Sequence, residues 1–304
     1  MSPLRHGKTV ILMYHRVVDD PFDPYFLAVA PGHFAEHISR LRRFAEPVPL
    51  AEVLQRAPGP RVAVTLDDGY ADNASAALPV LEEAQVPATV FVVSDLIGHQ
   101  EGFWNYRLER MFRDARPRAR HVEVSIGPDR LVLDLGSAAA RRRALLAVHY
   151  RLRRLPPDVI EPDVERLAVA LGEERPQGRP MMTVEDLTRL ADSPLITIGA
   201  HTRRHPWLAA LSAGEQYEEI AGGRRILAEL TGEPVDQFAY PFGAVDAFDG
   251  TSVRAVRRAG FSLACAAYGD PIVAGTSRFR LPRRAVLDWG AEEFERQLEA
   301  WFAQ

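Results

Sequence analysis

Two polar clusters of this 304-residue chain carry residue types that could hold a cation and keep a base beside it. One is Ala200-His201-Thr202-Arg203-Arg204-His205-Pro206. Histidines four positions apart fall on one side of a helical turn, so both imidazoles could converge on one ion. Pro206 would end any helix at His205, which suits a turn at a site. The other cluster is Thr65-Leu66-Asp67-Asp68-Gly69-Tyr70. Adjacent carboxylates cost electrostatic free energy unless a cation or unequal protonation relieves them. A cation held by one carboxylate would also help keep the other ionised and ready as a base. The rival reading makes an aspartate here the cap of the next helix, with Gly69 fitting either role. The histidine pair tips the balance toward a metal site.

Such residues need a frame to bring them together. Short β-rich runs at 10–14, 62–66, 88–93, 196–200, 237–240 and 261–266 alternate with helical patterns at 34–44, 71–84, 212–230, 251–259 and 291–302. Ser212 and Glu215 have capping-box spacing, and Gly232 suits the end of that helix. Strands alternating with helices predict an α/β fold with a parallel sheet or barrel. Four polar clusters then follow strands directly: His15, Asp67-Asp68-Gly69, His201 with His205, and Pro241-Phe242-Gly243. Barrel enzymes build their sites on the face where strands end, so the four landing there together carries more weight than any one alone.

Thr65-Leu66-Asp67-Asp68-Gly69, His201-Thr202-Arg203-Arg204-His205 and Tyr240-Pro241-Phe242-Gly243 resemble, in order and spacing, successive motifs of the polysaccharide deacetylase (NodB-homology, carbohydrate esterase) family. The resemblance implies a distorted (β/α) barrel acting as one catalytic domain over 1–304, with a mostly helical insertion at about 101–180. It implies that Asp67 is the catalytic base and that Asp68, His201 and His205 hold one divalent ion, Zn2+ before Co2+, Ni2+ or Mn2+. Three protein ligands leave positions open for water and substrate, as catalysis requires. The backbone N–H of Phe242 is implied as an oxyanion donor. The implied reaction removes an N-acetyl group from an amino sugar such as an N-acetylglucosamine unit, with a possible anionic or lipid carrier.

Two departures from the usual family pattern stand out. Members usually carry the general acid as a late histidine, and here none follows His205. Leu12-Met13-Tyr14-His15-Arg16-Val17 resembles the start of the branch that deacetylates poly-N-acetylglucosamine, where the acid histidine comes first, which implies His15 as the acid. The alternative is a structural histidine at a strand end. Ala239 stands where an arginine usually orients the base, and Arg283 or Arg284 could reach that place from another strand, with a surface ion pair as the rival reading. Tyr70, Trp207 and Trp104 could form walls for a sugar ring or could equally be core. The same site would serve an O-acetyl esterase or a deformylase of a lipid-linked sugar. A catalytically inactive sugar binder would explain both departures, but it has no use for the intact Asp67.

Composition narrows the classes further. A net charge of −4 gives no reason to expect nucleic acid as a partner. The single cysteine, Cys265, lies in an apolar run and reads as a buried bystander. No apolar stretch approaches the ~18 residues of a membrane span. The run at 10–14 is too short for a signal-peptide core, so a cytoplasmic location is expected. Residues 101–160 hold 13 arginines against 7 acidic residues, which reads first as a solvated helical face and second as a contact for an anionic lipid, nucleotide sugar or membrane surface. His6, His33, His37, His99, His121 and His149 read as exposed or structural. Oligomeric state is not legible.

Overall fold

The computed structural model describes residues 7–55, 57–115, 120–173, 179–273 and 275–304, so His6 lies outside the described residues. Two compact units emerge: one comprises 1–20, 26–98 and 181–304, the other 21–25 and 99–180.

Among the described residues, eight strands of the first unit form one sheet, and every pairing in it is parallel. They are β1 (Thr9–Tyr14), β2 (Glu46–Pro47), β3 (Arg61–Leu66), β4 (Ala88–Val92), β5 (Ile196–Ala200), β6 (Gln237–Ala239), β7 (Leu263–Cys265) and β8 (Arg284–Ala285). The order is β7-β6-β5-β4-β3-β1-β8, with β2 beside the start of β3. Every residue of β1, β3 and β4 is buried, as expected for parallel strands covered on both faces. The sheet curls until its ends approach. Leu281 exchanges backbone hydrogen bonds with the β7 stretch, at Ala264 and Ala266, while Arg284 and Ala285 pair with Leu12 and Met13 of β1. One irregular segment thus bridges the first and last strands, giving the distorted barrel.

Side chains alternate between the two faces of each strand. Ile11, Ala63, Phe91, Ala239 and Cys265 pack together inside the curl, while Val10, Leu12, Val62, Val64, Val90 and Val92 belong to the outer core beneath the helices. Gly199 is required here, because a Cβ would stand 2.4 Å from the Phe91 ring. The outer layer is supplied by α1 (Pro31–Arg40), α2 (Leu78–Ala84), α6 (Val184–Ala191), α7 (Ala213–Thr231), α8 (Gly250–Arg258) and α9 (Ala291–Ala303). Helix α7 starts at a Ser212–Glu215 capping box and stops at left-handed Gly232, as its sequence predicts.

The second unit comprises α3 (Trp104–Asp114), a hairpin of His121–Ile126 and Asp129–Asp134, α4 (Ala138–Leu152) and α5 (Pro157–Leu171). It is mostly helical, but the hairpin departs from expectation. Val122, Val124 and Ile126 alternate with polar residues ahead of a Gly127-Pro128 turn, and Gly127 supplies the positive φ of 54°. The charge-rich surroundings hid this period-two signal. Several arginines are inward-facing: Arg107 is 8% exposed and pairs with Glu101, Glu165 and Glu173. No helix among the described residues is long and apolar enough to cross a membrane.

Candidate metal centre

Strand register assembles the site. Tyr14 lies opposite Leu66, so His15 and Asp67 follow at the same level. Val92 lies opposite Ala200, and His201 N–H continues that ladder to Val92 O at 3.0 Å. His15, Asp67 and His201 also share the alternation of Ile11, Ala63 and Gly199, the inner face of the curl. Asp68 is turned into the same region by a left-handed backbone, φ 77°.

One ligand-capable atom from each of Asp68, His201 and His205 lies within 4.8 Å of the others, and all three residues are buried. Asp68 Oδ1 stands 3.4 Å from His201 Nε2 and 3.5 Å from His205 Nε2, yet it accepts no well-aligned hydrogen bond. His201 Nδ1 lies 2.7 Å from Ala239 O and must donate its proton there, so in the neutral ring Nε2 presents a lone pair. A lone pair facing an orphaned carboxylate oxygen is repulsive unless a cation sits between them. Two ligand atoms about 2.1 Å from one ion at a tetrahedral angle stand about 3.4 Å apart, so the residues present fit a divalent ion. Burial raises the Asp68 carboxyl, but the His201 imidazole beside it, then His205 and His15, bring it well below the usual carboxylate range. Burial pushes His205 down to about 3 against the pull of Asp68, which keeps the ring neutral as a ligand must be.

The two histidines do not lie on a helical turn as their spacing suggests. Residues 201–205 form a tight loop in which Thr202 (φ 66°) and His205 (φ 58°) are left-handed. Of six non-glycine residues with positive φ among the described residues, four are Asp68, Thr202, His205 and Phe242. Each costs roughly 1–2 kcal/mol, so their clustering marks the place where the fold gives up stability for geometry. Thr202 Oγ1 accepts the His205 N–H at 3.0 Å and so closes the loop.

Beside this group Asp67 is 2% exposed and gripped by Arg283 from the bridging segment. The guanidinium donates to both carboxylate oxygens at 2.6 Å, and its other donors reach Thr65 Oγ1 at 3.1 Å and Ala266 O at 3.0 Å. Burial raises the Asp67 carboxyl, but Arg283, then His201 and His15, bring it below its ordinary value. Arg284, the alternative candidate, instead donates to Gln304 Oε1 and lies over Trp301.

The polysaccharide deacetylase family pattern matches residues 55–123 and 149–264, more than half of the chain and inclusive of Asp67, Asp68, His201, His205 and Phe242. The chain belongs to the polysaccharide deacetylase family. No curated protein sequence matches it. Its fold is similar to that of IcaB from Ammonifex degensii, at 20% identity over 98% of each chain with a TM-score of 0.62. It is also similar to that of the deacetylase PplD from Streptococcus pyogenes, at 17% identity over 96% of this chain and 98% of that one, again with a TM-score of 0.62. A de-N-acetylase from Aggregatibacter actinomycetemcomitans aligns at 13% identity over 96% of this chain and 99% of its own, with a TM-score of 0.59.

His15 and Arg283 lie outside the stretches that match the family. His15 is an electrostatic neighbour of Asp67, Asp68 and His205. Its backbone is fixed by residues the motifs do not flag. Asn73 Nδ2 donates to His15 O at 2.8 Å, and Asp72 accepts from Val17 N at 2.9 Å and Arg16 Nε at 3.2 Å. The helix is locally widened to π geometry at Asn73–Ala77, a distortion frequent beside functional sites. Tyr70 and Trp207 are 2% and 5% exposed, the first under Arg16 and the second against Phe242. Trp104 belongs to the second unit, where it is 9% exposed and stacks on His149. His37 is buried between Tyr14 and Trp289 and is structural, as expected.

Proposed function

We propose that this chain is a metal-dependent hydrolase that removes the N-acetyl group from an N-acetylglucosamine-type sugar and releases acetate. The observation that carries the reading is the orphaned, buried Asp68 Oδ1 held 3.4 and 3.5 Å from two imidazole nitrogens. Two neighbours in fold point the same way, since one is described as a de-N-acetylase and PplD was solved with acetate.

Asp68, His201 and His205 would hold the ion, most simply Zn2+ given one carboxylate and two imidazoles. Bound there, it supplies Lewis acidity to the acyl oxygen and to the attacking water. Asp67 takes the water's proton, and the two-pronged grip of Arg283 holds that carboxylate ionised and aimed. The Phe242 N–H stabilises the charge that develops on the acyl oxygen. His15 protonates the departing amine, which could not leave as an amide anion. An intact base gripped by a dedicated arginine argues against an inactive sugar binder.

The test is metal content of wild type and of the His201→Ala/His205→Ala variant, paired with acetate release from N-acetylglucosamine oligomers. About one divalent ion per wild-type chain, lost in the variant together with acetate release, is the expected result. Metal without acetate release would move the reaction to an O-acetyl ester, a formamide or a carrier-linked sugar. A wild type that binds no divalent ion after reloading would overturn the reading.

A further inference from the structure

The loop that carries both histidines is left-handed at two of its residues and has no helix or strand of its own to hold it. Its support comes from α7. Glu219 is 3% exposed, and its Oε2 accepts the successive backbone N–H groups of Arg203 at 3.1 Å and Arg204 at 2.9 Å. Its Oε1 accepts Arg204 Nε at 2.7 Å. Two consecutive amides converging on one buried carboxylate oxygen is the arrangement of an anion-binding nest, here filled from within the chain. The same helix also lets the loop come close, because a Cβ on Gly223 would stand 2.9 Å from both the carbonyl carbon and oxygen of Thr202. On the opposite side, Ser94 N–H and Asp95 N–H donate to Thr202 O at 3.2 Å and Arg203 O at 3.0 Å, and Asp95 pairs with the Arg203 side chain at 2.8 Å.

We propose that Glu219 is a positioning residue of the metal site, fixing the left-handed loop so that His201 and His205 converge on Asp68. The inference rests on the metal-site reading above. Such charge-assisted bonds to backbone N–H groups are the strong class of hydrogen bond. Their loss frees the flanking left-handed Thr202 and His205 to relax toward ordinary backbone conformations, which swings His205 relative to His201. Gly223 faces the backbone of Thr202 and Gly222 the side chain of Arg203, a close approach that accounts for glycine inside a helix, where it otherwise costs about 1 kcal/mol relative to alanine.

The experiment measures Zn2+ affinity by chelator competition, alongside the melting temperature of the metal-free protein and kcat with KM. Variants are Glu219→Ala, Glu219→Gln, Gly223→Ala and a control on the same helix, Gln216→Ala. Gln216 is equally buried and bonds Leu211 O and Ser252 instead of the loop. Supporting bonds around metal ligands are typically worth about 10- to 100-fold in affinity. Glu219→Ala and Gly223→Ala are expected to lose zinc affinity in that range and kcat with it. Glu219→Gln, which keeps one acceptor oxygen, is expected to recover most of the affinity. Gln216→Ala is expected to lower the melting temperature with affinity within twofold of wild type. If Glu219→Ala fails to fold, the Gln and Gly223→Ala variants carry the test. Zinc affinity in Glu219→Ala or Gly223→Ala no weaker than in Gln216→Ala would overturn the role of Glu219 and leave the metal site standing. A wild type without zinc affinity would overturn both.

Discussion

Replacing Arg283 by methionine isolates the interaction on which the proposed base depends. The guanidinium side chain is fully buried, the Asp67 carboxylate is 3% exposed, and two 2.6 Å hydrogen bonds join them. Removing one partner of such a pair leaves a buried charge uncompensated, typically at about 3–5 kcal/mol. Against a total stability of about 5–15 kcal/mol the variant should still fold, with a melting temperature lower by on the order of 10 °C. The sign of its pH dependence follows from Asp67. In wild type its carboxyl is depressed, so it adds stability that is present above the unfolded carboxylate range and is lost as pH falls through the folded value. Without Arg283 burial dominates and the folded pKa rises. The variant's deficit is then largest at neutral pH and shrinks on acidification, as the carboxyl takes up a proton.

Two assays check this. Urea unfolding of wild type and Arg283→Met at pH 8 and pH 5 should give a smaller difference at the lower pH. The acid limb of kcat/KM should move upward in the variant, with the maximum lower by about 10²–10⁴-fold if Asp67 is the general base. Arg283→Lys retains charge without the two-pronged fork, and its limb should fall between the two. A stability difference independent of pH, together with an unmoved acid limb, would refute the claim that Arg283 governs Asp67.

Two further expectations concern groups away from the chemistry. His37 is held neutral, with burial pushing it down to about 4 while Nε2–H donates to Trp289 O and Nδ1 faces the Tyr14 hydroxyl. Its folded pKa lies below its unfolded one, so stability falls as pH drops through 6.5 toward 4, by about 3 kcal/mol; His37→Gln should flatten that part of an unfolding-versus-pH curve, and an unchanged slope would place the acid sensitivity elsewhere. Cys265 is buried inside the curl and its thiol is pushed up to about 12, so a thiol-reactive dye should label it only after unfolding. Rapid labelling of the native protein would contradict that packing.

Much of the frame was legible because parallel strands write a simple signal. The runs at 10–14, 62–66 and 88–93 are apolar throughout since helices cover one face and the curled interior the other. The hairpin escaped because its alternating valines are short and lie among arginines, where a helical reading of the neighbouring segments extends naturally over them. Barrel closure was illegible for a different reason. Only Arg284 and Ala285 have strand geometry there, and a two-residue strand has no periodicity to detect.

The site divides along the same physical line. The side chains proposed to carry the chemistry are drawn from few residue types, so Asp67, Asp68, His201 and His205 stand out in any apolar surrounding. Residues that hold them are constrained by position and not by type. Glu219 reads as one more charge on an amphipathic helix, and its burial at 3% exposure is what separates it from the others. The one trace the supporting shell leaves in sequence is glycine where a helix should avoid it, at Gly222 and Gly223, and both lie against the 202–203 stretch of the histidine loop. The i, i+4 histidine spacing shows the converse hazard. It suggests a helical turn, and convergence is achieved instead by two left-handed residues that a β-branched threonine and a histidine adopt only under external restraint. Spacing therefore announced which residues meet, while the forces that make them meet reside in α7 and in the segment that closes the barrel.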